Sequence, residues 1–142
     1  MNNVNISFHR ENIYSEYNDL FNYSIELTHR QTTSPVSDSV QKVYCINLVD
    51  NDDKLETFLE MANKYCINCR IMRMTKLVNS KKFMQIFKTL KPPKKGDFIP
   101  HKLPGELGCT MSHLICLLDA KYYKYEKIII LEDDAVPIRN VN

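Results

Sequence analysis

Long apolar runs are missing from this chain. Nothing in its 142 residues reaches the roughly 18 consecutive apolar positions of a membrane span. The N-terminus carries Asn2, Asn3 and Asn5 where a secretory leader has a basic stretch and then an apolar one. No signal peptide is therefore expected, and the cytoplasm is the expected compartment. A charge excess is missing too. The net charge of +2 is too small to argue for nucleic acid, and no Arg-rich patch with interleaved aromatics stands out. Lys81-Lys82 and the group Lys91, Lys94, Lys95 read as solvated faces. The five cysteines form no even set, which fits reduced thiols better than a disulfide framework. Cys66-Ile67-Asn68-Cys69 has no second CxxC to complete a structural zinc site. It also follows a helical pattern, where a thioredoxin-like pair would open one.

What remains is an ordinary globular composition, 44% hydrophobic and 25% charged, enough for one domain with or without a tail. Residues 1–41 read as an appendage. Val4-Asn5-Ile6-Ser7-Phe8 alternates like a short strand, and Ile13, Tyr17, Leu20, Phe21 and Ser24 fall on a helical stripe. A polar, Pro-containing linker follows from Thr32. From residue 42 to 142 the pattern is more regular. Lys42 to Leu48 reads as a strand. Asp52-Asp53 can cap a helix in which Leu55, Phe58, Leu59, Ala62 and Tyr65 share a face. Cys69 to Met74 reads as a strand and Ser80 to Leu90 as a helix. The prolines at Pro92-Pro93 force a loop, and Pro104 opens a third helix reaching Tyr123. Lys127 to Leu131 is the last strand. This order predicts an α/β domain with a mostly parallel sheet flanked by helices.

The third helix is expected to bury Leu107, Met111, Leu114 and Leu118. Glu106, Cys109, His113 and Cys116 form a neighbouring stripe, a row that invites a metal reading. Structural zinc sites, however, draw ligands from more than one element, and cysteine is often a plain buried hydrophobe. Gly105 and Gly108 are two of only three glycines. Their cost to a helix is understandable if a backbone or ligand must approach closely. The chain then runs Ile128-Ile129-Ile130-Leu131 into Glu132-Asp133-Asp134. An aliphatic run bounded by charge reads as a strand buried on both faces. Carboxylates just beyond such a strand suit a hard divalent cation and the phosphates it bridges. A solvated surface turn is the plainer alternative.

Three of these pieces occur in a familiar order. Ile46-Asn47-Leu48, then Gly105-Glu106-Leu107-Gly108-Cys109-Thr110-Met111-Ser112-His113, then Glu132-Asp133-Asp134 resemble the motifs of glycosyltransferase family 25. That family includes lipopolysaccharide-biosynthesis galactosyltransferases and the collagen hydroxylysine galactosyltransferases. The resemblance implies a GT-A-like, Rossmann-type sheet. It implies a UDP-sugar donor, a glycan or protein hydroxyl acceptor, manganese or another divalent cation, and inversion at the anomeric carbon. Carried onto this chain, it places Asn47, Leu48, Glu106, Ser112, His113, Glu132 and Asp133 around the nucleotide sugar. Asp134 and Glu132 become the metal ligands.

Two departures qualify the match. Where the family carries a basic run after its Ile-Asn-Leu, this chain has Val49-Asp50-Asn51-Asp52-Asp53-Lys54, and three acids would repel a diphosphate. The sequence also runs only eight residues beyond Asp134, to Asn142. The expectation is therefore a donor-binding half, incomplete at the C-terminus, with a second chain as one source of the rest. A non-catalytic remnant or interaction module is the alternative.

Overall fold

The computed structural model describes residues 3–30, 39–89 and 103–137. The linker after Thr32 and the Pro92-Pro93 loop lie outside the described residues. Five strands form one sheet: β1 (Val4–His9), β2 (Phe21–His29), β3 (Lys42–Leu48), β4 (Cys69–Met74) and β5 (Ile128–Glu132). The helices are α1 (Asp52–Lys64), α2 (Lys81–Thr89) and α3 (Leu103–Tyr122), with short 3-10 turns at Asn12–Tyr17 and Leu77–Asn79.

The α/β class stands, and the sheet is mixed. Its order is β1-β2-β4-β3-β5. β3 pairs in parallel with both β4 and β5, whereas β2 is antiparallel to both β4 and β1. Period-two alternation divides the parallel strands between two cores. Tyr44, Met72 and Met74 join Ile115, Cys116 and Ala120 of α3. Val43, Cys45 and Ile71 pack on the opposite face with Phe58 and Ala62 of α1. β4 lies between two partners and is buried along its whole length.

Four expectations need correction. Residues 4–29 are no appendage, since β1 and β2 extend the sheet, and Tyr14, Leu20 and Phe21 belong to the α3-side core. The supposed helical stripe there is a 3-10 turn followed by a strand. β5 is half-buried rather than covered on both faces, because among the described residues it pairs only with β3. Helix α1 is entered through Asn51 without a side-chain cap, and Asp52 and Asp53 occupy its first turn, where the helix dipole favours acid.

The start of β5 is clamped to the start of β3. Gln41 donates its backbone N–H to the Lys127 carbonyl at 2.8 Å, and its side-chain oxygen accepts from the N–H groups of Glu126 and Lys127 at 2.5 and 2.9 Å. Tyr44 then faces Ile130, and Ile46 faces Glu132.

Candidate functional site

β3 sends the chain through α1 to β4 on one side, and the return through α3 places β5 on the other. A ligand crevice is expected at the carboxyl ends of strands where the order reverses in this way. A cavity of about 390 Å³ lies there. Its walls include Leu48 at the end of β3, Lys54 of α1, the segment 75–78 after β4, the first turns of α3, and Glu132, Asp133 and Asp134.

The strand's alternation separates the acidic triplet. Glu132, in phase with Ile128 and Ile130, turns toward α3, where its Oε1 accepts from Cys109 Sγ at 3.4 Å. Asp133, in phase with Ile129 and Leu131, turns toward the α1 side, where Asn47 Nδ2 donates to its Oδ2 at 2.6 Å. Asp134 lies in the turn that follows and lines the cavity.

Behind Asp133 stands a chain of buried polar contacts. Asn47 is 1% exposed; it also donates to the Asn51 carbonyl at 3.1 Å and accepts from Arg73. Arg73, on β4 and buried, donates to the Val49 carbonyl at 3.2 Å and to Asp52 at 2.5 Å. The loop after β3 is therefore tied down from beneath. Asp50 pairs with Lys76 at 3.6 Å. Two of the three acids that seemed set to repel a diphosphate are thus in ion pairs, and Lys54 and Lys76 line the cavity.

Of the residues expected around a nucleotide sugar, Leu48, Ser112, Glu132, Asp133 and Asp134 line the cavity. Ser112 bonds back to the Gly108 carbonyl at 2.8 Å. Asn47, Glu106 and His113 do not line it. Asn47 acts from below through Asp133, Glu106 is exposed on the first turn of α3, and His113 turns to Cys109. The helix row of Cys109, His113 and Cys116 is split, because Cys116 is fully buried in the core while Cys109 is exposed. Burial pushes the Cys116 thiol up to about 12, with the Asp119 charge adding to the shift. Cys69 of the CxxC is likewise buried, its thiol pushed up to about 12 by that burial and then by Glu26. Arg73 and Lys76, which sequence reasoning missed, come from β4 and the turn after it. Neither glycine marks a close backbone approach. A Cβ at Gly105 would meet nothing within 4 Å, and one at Gly108 would sit 3.5 Å from Leu77 Cβ, an ordinary contact.

The donor set bears on a hard divalent cation. Glu132, Asp133 and Asp134 all bring carboxylate oxygens to the cavity wall, with one oxygen of Asp133 held by Asn47 and one of Glu132 by Cys109. Oxygen donors of this kind suit manganese or magnesium, so these residues fit such an ion.

No curated protein and no solved structure matches the chain. The family model described as Glycosyltransferase family 25 (LPS biosynthesis protein) matches residues 40–140, taking in β3 through β5 and leaving out β1 and β2. With a match over most of its length, the chain belongs to glycosyltransferase family 25.

Proposed function

We propose that this cavity is the donor site of a sugar transferase, taking the diphosphate of a UDP-sugar, with hexosyl or galactosyl transfer to a glycan or protein hydroxyl. The observation that carries the reading is the meeting of two carboxylates, Glu132 and Asp134, with two lysines, Lys54 and Lys76, in one cavity at the strand reversal. The cavity volume falls within the roughly 300–1,000 Å³ of small-molecule sites.

Each residue has a part in that reading. Glu132 and Asp134 would hold the divalent cation, which when bound offsets the charge of the departing diphosphate as a Lewis acid. Lys54 and Lys76 supply positive charge to the same phosphates, and the first turn of α3 adds the positive end of its dipole. Asn47 and Arg73 fix the acidic turn from behind, so that the ligand geometry is set before the donor arrives. Inversion at the anomeric carbon is the stereochemistry that the family motifs imply. The reading of a non-catalytic module drew in part on the acidic loop, and the ion pairs of Asp50 and Asp52 weaken that part of it.

Calorimetry with manganese and UDP-galactose tests the proposal. Donor binding that depends on manganese is expected, weakened roughly tenfold or more in Asp134→Ala, as loss of a charged contact implies. No heat with either component, or unchanged binding in Asp134→Ala, would refute it.

A further inference from the structure

We propose a second kind of metal site on this chain: a zinc-class cation held by Cys109, His113 and Glu132. One donor atom from each lies within 4.8 Å of the others. Cys109 Sγ is 3.7 Å from His113 Nδ1 and 3.4 Å from Glu132 Oε1. Tetrahedral zinc, with bonds of about 2.3 Å to sulfur and about 2.0–2.1 Å to nitrogen or oxygen, sets such donor pairs about 3.5 Å apart. The two spacings bracket that value before any ion is bound.

The backbone produces this arrangement from two elements. Cys109 and His113 are four residues apart on α3, so their side chains lie on one face. Glu132 ends β5 in the phase that faces α3. The objection that a single helix cannot close a zinc site is thereby met, because the third ligand comes from the sheet. Cys116, which seemed the natural third member, is turned into the core.

A thiolate, an imidazole and one carboxylate form a softer set than the oxygens of Glu132 and Asp134, and it favours zinc over manganese. Three protein ligands leave a fourth position open, as in zinc sites that keep a water or substrate. Cys109 and Glu132 both line the cavity, so the site lies at its wall. Binding replaces two exposed hydrogen bonds, Cys109 to Glu132 and His113 Nδ1 to the Cys109 carbonyl at 3.0 Å. The thiol proton goes to solvent as the sulfur–zinc bond forms.

The site shares Glu132 with the proposed donor site, and the two cations therefore exclude one another. It does not depend on that reading, since zinc binding is measured on the chain alone without nucleotide. The full chain, stripped with a chelator, is titrated with Zn²⁺ against a colorimetric competitor, and with Co²⁺ to follow thiolate-to-cobalt charge-transfer absorption. One bound equivalent and a charge-transfer band are expected. Cys109→Ser removes the band. His113→Ala weakens zinc by at least the roughly 10–100-fold that even outer partners of metal ligands cost. Cys66→Ser leaves both readouts unchanged. Cys109 is exposed and His113 half-exposed, so circular dichroism of the variants is expected to match the parent. Absence of zinc binding, or binding indifferent to both Cys109→Ser and His113→Ala, overturns the inference. Zinc binding without any manganese-dependent donor binding upholds it and removes only the donor reading.

Discussion

Asp119 is fully buried on α3, toward the end of the sheet away from the cavity. It accepts from the hydroxyls of Tyr14 and Tyr44, the latter at 2.5 Å, and from Arg70 at 2.9 Å. Arg70 in turn reaches Glu26 at 2.8 Å and lies 5.0 Å from the Tyr123 ring. Removing one partner of such a pair leaves an uncompensated buried charge, at a cost of about 3–5 kcal/mol. The two phenols carry a pH consequence. Burial, and then the bond to Asp119, raises both far above the usual tyrosine range. A raised folded value means that stability is fully present below the unfolded value of about 10 and falls as pH climbs past it. Each tyrosine contributes a slope of up to about 1.4 kcal/mol per pH unit. Urea unfolding through the alkaline range is expected to show this decline, flattened in the Tyr14→Phe, Tyr44→Phe double variant. An equal slope in the two proteins would count against the network. Nothing near Leu117-Leu118-Asp119-Ala120 in the sequence marks the carboxylate as buried, because its three donors come from the N-terminal 3-10 turn, β3 and β4.

At the scale of the element, α3 has the expected bounds and an unexpected phase. Its buried side is Ser112, Ile115, Cys116, Asp119 and Ala120, while Leu107, Met111 and Leu118 lie at the margin. Leu114 and Leu117, the latter 52% exposed, point outward. Hydrophobicity misplaced the face because two buried positions are polar, Ser112 satisfied by its own helix and Asp119 by the network. The strands and helices from residue 42 onward were legible to within a residue or two, since each is long enough to show its period. The N-terminal stripe misled for the opposite reason. A 3-10 turn and the first residues of a strand happened to bury side chains at helix-like intervals. Gly108 offers a test within α3. Ala there meets only Leu77 Cβ at ordinary contact, so Gly108→Ala is expected to stabilise by about 0.5–1 kcal/mol. Because Gly108 lines the cavity, the same change is expected to weaken donor binding. Thermal unfolding and calorimetry read the two effects separately, and a lowered midpoint would show that the helix needs glycine there.

For the molecule as a whole, the family match begins at residue 40, but the core does not. Tyr14, Leu20 and Phe21 fill one core, and Ile25 and Leu27 the other. At about 1.5–3 kcal/mol for each buried side chain, their sum is comparable to the roughly 5–15 kcal/mol that hold a domain folded. A fragment of residues 42–142 would also bare the β4 edge that β2 covers. It is expected to show no cooperative unfolding transition and to associate on gel filtration; a monomeric, cooperatively folding fragment would contradict this. The candidate site divides in the same way. Its acids were legible because they sit in short motifs. Arg73 and Lys76, which pair with the acids of the β3 loop, were not, because only parallel pairing of β3 with β4 brings them there.

The Gln41 clamp has a reach beyond its own end of the sheet. Successive strand residues point to opposite faces, so sliding β5 along β3 by one position would exchange the directions of Glu132 and Asp133. Asn47 would then be parted from Asp133, and Cys109 from Glu132. Gln41 makes its three bonds at the far end of both strands, yet it fixes the phase in which the strand arrives. The address of each carboxylate is thus written some five residues upstream of the chemistry, by a glutamine that touches none of it.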